Sequence, residues 1–412
     1  MTRAGSYPTV NPGDGAGVPE SLQGGEGPRI VLAHDWLVGL RGGERVLHHL
    51  AVVAQRLGHV EAILTMFDDG RPLTPTLDAL PRQVSTLGRL PGALRARRWL
   101  LPLYPAAVGQ LSERLAWMHR RRPIDLLVSS SSAAIKGLRA PNGVPHVCYC
   151  HSPARYLWSQ VDQYGGGLQG LGLRALGPML RAWDRATAAH VSECIANSSH
   201  VAGLIGNAYG KTAMVVHPPA RIDFFTPGSE TRDGHWLAVG ALEPYKRFDL
   251  AIEAARLAGA TLRIVGDGTT RATLERDSTP NVTFLGRLDD EALRREMRTA
   301  AVLLVPQVED FGITTVEAQA CGLPVAARGL GGSVDIVRDG LTGALCDGSP
   351  QALADAARRA SACDPAACVA NAQRFSEVHF ESSIEAILER WLKPRPPAPA
   401  RPPRPHVPAR SP

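Results

Sequence analysis

The sequence has few cysteines, few aromatic residues and no long hydrophobic run in its 412 residues. Seven cysteines, an odd and sparse number, argue against a disulfide framework and indicate a reducing compartment. No apolar run approaches the roughly 20 residues needed to span a bilayer, which argues against a membrane-spanning protein. The first residues also lack the apolar stretch of a signal peptide, so we expect a cytoplasmic protein.

Both ends of the chain have the composition of disordered segments. Residues 1–28 are rich in Gly, Pro and small polar residues and show no periodicity, which predicts a disordered leader. Residues 394–412 hold nine prolines, four arginines and no acid, which predicts a polyproline-like basic tail. We expect the tail to be solvated. A partner-binding PxxP segment and a tether to an anionic surface are the alternatives.

Between the ends, short apolar runs alternate with amphipathic stretches, as is typical of strands buried in parallel sheets. The runs are 29–35, 60–67, 124–130, 145–151, 193–199, 236–240, 261–266, 281–286, 301–306 and 323–328. Strand–helix alternation on this scale predicts an α/β fold with two facing, doubly wound, Rossmann-like domains. Ligands bind beyond the carboxyl ends of such strands, so we expect the site in the cleft between the domains.

Two adjacent prolines, Pro218 and Pro219, break local structure and mark the expected domain boundary. We predict an N-terminal domain over 29–217 and a C-terminal domain over 218–375. A final helix over about 376–392 is expected to pack back onto the first domain.

The most informative segment holds Glu309 and Glu317, eight residues apart. Gly312 and the residues after it favour a turn and a helix start around Ile313–Thr315. The free N–H groups of that helix start suit a phosphate. An isolated pair of glutamates is most often a pair of solvated acids. The alternative is one carboxylate in the loop and one on the helix, each serving a different end of one ligand.

The segment from Glu309 to Glu317 resembles the signature of retaining glycosyltransferases of family 4, which have the GT-B fold. Further segments that resemble motifs of this family are 34–36, 42–46, 148–153, 238–247, 264–268, 284–286, 322–325 and 331–332. The resemblance covers residues 29 to about 390. Three pieces, HDWL with GGERVL, CHSPARYLW and PYKRFDLAIEA, are most similar to mannosyltransferases of bacterial O-antigen and exopolysaccharide assembly.

This resemblance implies a metal-independent, retaining hexosyltransferase without a cofactor. The favoured reaction moves a mannosyl group from GDP-mannose to a glycan or a polyprenyl-linked glycan in the synthesis of cell-surface polysaccharide or glycolipid. A UDP-sugar donor and a non-catalytic nucleotide-sugar-binding protein are the alternatives. Charge develops on the leaving diphosphate, so such a site needs preorganised cations and N–H dipoles around the phosphates.

The resemblance also implies roles for individual residues. Glu309, Lys246 and His151 are the expected catalytic residues. Glu309 holds the sugar and supports the transition state, Lys246 contacts the diphosphate, and His151 hydrogen-bonds the sugar from the other domain. Glu317 takes the ribose hydroxyls. The remaining expected donor contacts are Gly42, Gly43, Gly240, Arg247, Gly266, Phe311, Gly312, Thr314 and Thr315.

One position departs from the family pattern, because the phosphate loop has Ala241 where the family usually has arginine. Arginine supplies a planar, bidentate contact to phosphate that alanine lacks. Lys246 remains as a point charge for the diphosphate. Arg247 and Arg41 are both candidates to replace the missing guanidinium, and the sequence does not decide between them.

Several residues near these motifs have simpler interpretations. The segment 148–151 contains two cysteines and a histidine, but strand alternation sends the cysteines and the histidine to opposite faces, so we expect no metal site. His34 lies at a strand end and is either a packed residue or part of the site. Asp335 and Arg338 are expected to be ordinary residues of a helix surface.

Residues 82–122 concentrate positive charge, with nine arginines and one acid in a chain whose net charge is +6. Apolar residues at helical spacing from Tyr104 to Met118 predict an amphipathic helix. One interpretation is a helix packed on the N-terminal domain with a solvated basic face. The other is contact with an anionic membrane or with the acceptor. The residues expected to make that contact are Arg95, Arg97, Arg98 and Trp99.

Two other classes of protein fit the sequence less well. A nucleotide-dependent oxidoreductase is expected to carry GxGxxG after its first strand, and the run at 29–35 is not followed by one. A nucleic-acid-binding protein is favoured only by the arginines, without an RNP-like aromatic pattern. We therefore expect a nucleotide sugar and a glycan or polyprenyl-linked acceptor as partners and no nucleic acid. The expected location is the cytoplasm, with peripheral contact at the inner face of the cytoplasmic membrane as the alternative to a purely cytoplasmic protein.

Overall fold

The computed structural model describes residues 27–97, 99–158 and 167–393. Arg98, the predicted tail at 394–412 and all but the last two residues of the predicted leader lie outside the described residues. Within the described ranges the chain forms two parallel sheets, one in each half of the sequence.

The first sheet contains seven parallel strands. They are Arg29–Leu37 (β1), His59–Asp68 (β2), Arg82–Val84 (β3), Leu126–Ser131 (β4), His146–Cys150 (β5), Glu193–Ala196 (β6) and Ala213–Val215 (β7). Their order is β3-β2-β1-β4-β5-β6-β7. Because β1 pairs with β2 on one side and β4 on the other, the strand order reverses at β1, and a ligand crevice is expected at its carboxyl end.

The second sheet contains six parallel strands. They are Trp236–Val239 (β8), Leu262–Val265 (β9), Val282–Gly286 (β10), Val302–Val305 (β11), Val325–Arg328 (β12) and Gly343–Cys346 (β13). Their order is β10-β9-β8-β11-β12-β13, so the reversal lies between β8 and β11. The predicted α/β class with two doubly wound sheets is confirmed.

Sixteen α-helices accompany the strands in the described residues. They are Gly42–Leu57 (α1), Pro75–Asp78 (α2), Thr86–Arg89 (α3), Ala93–Ala96 (α4), Tyr104–Arg121 (α5), Arg155–Trp158 (α6), Gly167–Ala188 (α7), Ser199–Tyr209 (α8), Phe248–Ala258 (α9), Arg271–Asp277 (α10), Asp290–Thr299 (α11), Ile313–Ala320 (α12), Ser333–Ile336 (α13), Pro350–Ala360 (α14), Pro365–Ala372 (α15) and Glu377–Leu392 (α16). None of these helices combines the length and the apolar character needed to cross a membrane.

Strand alternation gives each sheet a hydrophobic cluster on both faces. In β1, Ile30 and Leu32 belong to one cluster, while Val31 and Ala33 belong to the cluster on the opposite face. β11 divides in the same way between the two clusters of the second sheet. Strands that are buried on both faces have continuous apolar sequences, and for this reason these strands could be predicted from the apolar runs.

Several helix starts are capped by side chains. Ser198, Asp289 and Ser376 each accept a backbone N–H in the first turn of α8, α11 and α16. α12 differs, because its N-cap is Gly312, with φ of 104° and no side-chain cap. Its first N–H groups therefore remain available to a ligand.

α16 follows the elements of the second domain in the sequence but packs against α1 of the first domain. Phe380 is 1% exposed and lies edge-to-face against His49 and Tyr149, at ring-centroid distances of 6.1 and 5.7 Å. The ring of His49 also hydrogen-bonds the Glu381 carboxylate, with 2.7 Å between Nδ1 and Oε1. A buried aromatic cluster and a polar pair thus fix the last helix on the first domain.

Removal of the Phe380 ring should destabilise the first domain strongly. We expect Phe380→Ala to lower the free energy of unfolding by about 3–5 kcal/mol, because it leaves a cavity between α16 and the sheet. Val378→Ala is the control, since Val378 lies on the same helix with 75% of its surface exposed and should change stability by less than about 0.5 kcal/mol. Urea unfolding measures both, and equal stability of the two variants would contradict this packing.

Candidate active site in the cleft between the two sheets

A cavity of about 830 Å³ lies between the two sheets and is lined by residues of both. The residues predicted from the sequence that line it are Gly42, Gly43, His151, Gly240, Lys246, Glu309, Phe311, Gly312, Thr314 and Thr315. The structure brings these residues together from β5, α1, α12 and the loops after β8 and β11. Arg247, Gly266 and Glu317 are not part of the lining.

Two histidines form the first-domain wall of the cavity. His34, in the second half of β1, is 4% exposed, and its Nδ1 lies 3.0 Å from the carbonyl oxygen of Ser130. His151 Nε2 lies 2.8 Å from Ser130 Oγ. Burial, helped by the neighbouring His34 and Arg155, lowers the pKa of His151 to about 3. His151 is therefore neutral at physiological pH and suits a hydrogen bond better than proton donation.

The Asp35 carboxylate holds the loop after β4 in place beside these histidines. Asp35 is fully buried and accepts backbone N–H groups from four successive residues, 132–135, at 2.6–2.9 Å. The hydroxyl of Ser131 donates to the same carboxylate. This residue lies in the segment 34–36 that resembles a ligand loop, and its side chain shapes the wall rather than lining the cavity.

The cysteines of β5 point away from the cavity. Cys148 and Cys150 belong to a hydrophobic cluster with Cys194, and burial raises the pKa of the Cys148 thiol to about 12. Throughout the described residues, no group of three or more His, Cys, Asp or Glu side chains could hold a metal ion.

Glu309 lies on the opposite wall, in the loop after β11. Its Oε1 forms an ion pair with Lys246 Nζ and accepts a hydrogen bond of 2.8 Å from Gln307 Nε2. The side chains of Glu309 and Lys246 are 20% and 16% exposed, so the pair is partly shielded from water. A ligand phosphate at Lys246 has to compete with this carboxylate.

Two helix N-termini meet at the cavity. α1 begins at Gly42 and α12 at Ile313, and a Cβ placed on Gly42 would lie only 3.4 Å from Ile313 Cδ1. Thr314 and Thr315 of the first turn of α12 also line the cavity. Helix N-termini carry partial positive charge and free N–H groups, so this pair favours an anion between them.

Ala241 lines the cavity, and three nearby arginines could supply the guanidinium that is missing at this position. Arg247 does not replace it, because its guanidinium pairs with Asp249 at 2.8 Å and lies outside the lining. Arg41 lines the cavity, and no carboxylate of the described residues lies within 4.0 Å of its guanidinium. Arg155 lines the cavity but is paired with Asp310. Arg41 is therefore the better candidate of the two that the sequence left open.

Glu317 lies beside the cavity, on the buried side of α12. Its residue surface is 7% exposed, and its Oε1 accepts from Arg221 Nε at 3.3 Å. Burial raises the pKa of Glu317, against the opposing effect of the nearby Arg221 and Arg45 charges.

Gly266 has a structural role in place of the expected donor contact, since a Cβ there would lie 1.8 Å from the Gly240 carbonyl oxygen. Its absent side chain lets the two loops pack.

Polar contacts join the two domains at the rim of the cavity. Asp310 forms an ion pair with Arg155 and accepts at its backbone oxygen from Ser198 Oγ. Asp335 accepts from the backbone N–H of Ser199 at 2.7 Å. The prediction that Asp335 is an ordinary surface residue was therefore wrong, because its carboxylate caps α8 across the interface. Arg338 is exposed, as expected.

The arginine-rich segment contains a packed helix and, before it, an exposed stretch; its contact with a membrane or acceptor stays a prediction. α5 buries Tyr104, Val108 and Leu111 in the cluster on one face of the first sheet. Before α5, the residues 90–103 form a surface with Leu90, Trp99 and Leu103 exposed by 51%, 58% and 48%. Arg95 is exposed in the same stretch. We call residues 90–103 the basic loop; Arg98 of this loop is outside the described residues.

The fold is similar to solved structures of glycosyltransferases and related enzymes. HepE from Anabaena in complex with UDP matches with a TM-score of 0.61 and 19% identity, over 88% of this chain and 100% of that one. Sucrose-phosphate synthase from Thermosynechococcus elongatus matches with a TM-score of 0.65 and 19% identity, over 88% and 98%. These likenesses concern the fold, which is the GT-B fold expected from the sequence.

The sequence also matches two protein families in tandem. Residues 40–224 match the family described as Glycosyltransferase Family 4, and residues 221–375 match Glycosyl transferases group 1. Together the two matches run from residue 40 to residue 375, so most of the chain is similar to glycosyltransferase families.

A curated relative matches over part of its length. The D-inositol 3-phosphate glycosyltransferase of Mycolicibacterium smegmatis is 34% identical over 211 residues, which are 45% of this chain and 49% of the relative. The chain thus spans about half the length of the curated relatives it matches.

Several cavity residues escaped the sequence analysis. Asp310, Gln307 and Asn197 line the cavity, and so does Arg155. Arg155 and Asp310 both lie within segments that resemble family motifs, but their pairing joins residues 155 positions apart. The only sequence signal was their position in those motifs, since a long-range pair leaves no local pattern.

The low pKa of His151 gives a prediction about pH. The pKa of His151 is about 3 in the folded chain and 6.5 ordinarily. Between pH 3 and pH 6.5, His151 therefore carries a proton in the unfolded chain but not in the folded chain. Stability therefore falls as the pH decreases from about 6.5 towards about 3, by up to about 1.4 kcal/mol per pH unit for this group. We expect His151→Gln to reduce the slope of unfolding free energy against pH by about that amount between pH 6 and 4, measured by urea unfolding.

Asn197→Ala is the matched control for this experiment. Asn197 lines the same cavity and donates to the His151 carbonyl oxygen, but its side chain does not titrate. Its variant should keep the wild-type slope. An unchanged slope in His151→Gln would contradict the burial argument.

Proposed function

We propose that the protein transfers a hexosyl group, with mannosyl from GDP-mannose favoured, to a glycan or lipid-linked glycan acceptor. The observation that carries this proposal is the meeting of two helix N-termini and the Lys246–Glu309 pair in one interdomain cavity. Such a cavity offers an anion site next to a carboxylate. The similarity of residues 40–375 to two glycosyltransferase families supports the same reaction class.

The diphosphate of the donor is placed at the start of α12. The backbone N–H groups of Ile313 and Thr314 point at it, and Lys246 exchanges its Glu309 partner for a phosphate oxygen. Arg41 approaches from the first domain as the guanidinium that Ala241 does not supply. Preorganised donors and cations of this kind stabilise the charge that develops on a leaving diphosphate.

The transferred sugar is placed between Glu309 and His151. Once Lys246 turns to phosphate, the Glu309 carboxylate is free to support positive charge that develops on the sugar. Neutral His151 accepts or donates one hydrogen bond to a sugar hydroxyl. We propose transfer with retention of configuration and without a metal ion or cofactor, as the resemblance to family 4 implies.

A UDP-sugar is the alternative donor. The complex of HepE with UDP supports it, because a uracil nucleotide occupies a protein of this fold there. The name of the mycobacterial relative also widens the range of acceptors to phosphorylated polyols. We keep GDP-mannose as the first donor to test.

Replacement of the paired charges should abolish turnover. We expect Lys246→Ala and Glu309→Gln each to lower the rate of nucleoside diphosphate release by at least about 100-fold, because each removes a charge from the transition state. Arg256→Ala is the control, since Arg256 pairs with Glu253 on the surface of α9, 51% exposed. Its rate should equal that of wild type. Wild-type rates in both cavity variants would contradict the proposal.

We further propose that the basic loop rests on the inner face of an anionic membrane, where a lipid-linked acceptor is held. Trp99 and the exposed leucines suit the interfacial region of a bilayer, and arginines suit its anionic headgroups. Arg95 and Arg97 come just before Trp99 and Leu103 in the chain. The protein is then a cytoplasmic enzyme in peripheral contact with a membrane.

Membrane contact is tested by cosedimentation with phosphatidylglycerol-containing vesicles. Replacement of Arg95, Arg97 and Arg98 by glutamine should weaken binding by about 100-fold, because each basic residue near the surface contributes about 1 kcal/mol. Replacement of Arg256, Arg276 and Arg358 removes the same charge from exposed helices of the second domain and should change binding little. Equal recovery of the two triple variants would reject this surface.

A further inference from the structure

The Glu317 carboxylate has a hydrogen-bond donor on only one of its two oxygens among the described residues. Its side chain is 10% exposed, and Arg221 Nε occupies Oε1 at 3.3 Å. No donor among the described residues reaches Oε2. A carboxylate has about four lone-pair positions, so a buried, singly bonded one retains capacity for vicinal hydroxyl donors.

Arg221 is itself fixed from two sides. Its Nη2 donates to Asp290 Oδ1 at 3.1 Å, and Nη1 pairs with the other oxygen of Asp290. Its guanidinium carbon lies 5.3 Å and 4.9 Å from the ring centroids of Phe224 and Phe225. One planar group therefore bridges a carboxylate of α11 and a carboxylate of α12, with little freedom to rotate.

The charges that face Glu317 come from three elements besides its own. Arg221 precedes β8, Asp290 starts α11, and Arg45 approaches from α1 of the first domain. The Cys321 thiol lies one turn further along α12. Arg45 has no carboxylate within 4.0 Å in the described part of the chain, so Arg221 is the cation in direct contact with Glu317.

We infer that Arg221, locked by Asp290, is the positioning residue that orients Glu317 and keeps it as an acceptor for the vicinal hydroxyls of the nucleoside diphosphate. This inference rests on the proposed function, because it assigns a role within the same donor site. Arg221 acts through Glu317, since the guanidinium already uses its Nε and both Nη groups on two carboxylates.

The direct test is the pH dependence of nucleotide binding by calorimetry with GDP and UDP. Glu317 accepts from both vicinal hydroxyls with both oxygens only while ionised, and loss of the Arg221 charge raises its pKa further above the already raised value. In Arg221→Gln the acid limb of the binding profile should therefore move to higher pH by about 1–3 units. Arg221→Lys keeps the charge and should recover most of that shift.

A second readout distinguishes orientation from folding. Wild type should bind the 2′,3′-dideoxy diphosphate at least tenfold more weakly than the ribo form, and Arg221→Gln should lose most of this discrimination. Arg294→Gln is the structural control, because Arg294 stacks on the same Phe224 ring at 4.5 Å and donates to the Phe224 carbonyl oxygen. It should keep both the profile and the discrimination of wild type.

The outcomes separate the two proposals. Absence of GDP and UDP binding by wild type would overturn the proposed function and this inference together. Normal binding by wild type with an unchanged acid limb and unchanged dideoxy discrimination in Arg221→Gln would overturn the role of Arg221 alone. An equal shift in Arg294→Gln would also overturn it, since packing on the ring would then explain the effect.

Discussion

Lys246 and Glu309 form an ion pair at the carboxyl edge of the second sheet, and the organisation of the cleft depends on it. Arg155 with Asp310 and Arg221 with Glu317 extend the same pattern to the rim and to the buried side of α12. Burial of a single charge is expensive, and each of these three carboxylates is matched by a cation. A charged ligand must take over these partners, which links binding to rearrangement of the pairs.

Hydrogen bonds and aromatic packing hold the two domains against each other. Ser199 and Asp335 join the start of α8 to α13, and α16 returns to α1 with a buried aromatic cluster. The two helix N-termini at Gly42 and Ile313 are thereby held at the same cavity. The anion site consequently exists only while the domains stay together, because neither sheet supplies both termini.

The fold class was predictable because its strands are buried on both faces and therefore read as uninterrupted apolar runs. β3 and β7 escaped prediction, since they are three residues long and partly exposed. The start of α12 was predictable from Gly312 and the residues after it. Its cap is the glycine alone, without a threonine side chain, and this leaves the N–H groups open.

Contacts that depend on tertiary pairing were not predictable. Asp335 looked like a helix-surface acid because its partner, Ser199, lies 136 residues away. Arg221 carried no local signal for the same reason, with Glu317 at a distance of 96 residues. The sequence did not decide whether Arg247 or Arg41 replaces the guanidinium that is missing at Ala241, because each lies beside a loop that resembles a family motif. The structure favours Arg41, which lines the cavity, over Arg247, which does not. The functional roles of the cavity residues stay predictions.

The central claim is that the cavity between the two helix N-termini binds a nucleoside diphosphate through its terminal phosphates. Calorimetric titration of the wild-type chain with GDP and with GMP tests it most directly. We predict that GDP binds at least tenfold more tightly than GMP, because only the diphosphate reaches both the start of α12 and Lys246. Equal affinity for the two nucleotides would contradict a diphosphate site at these helix termini.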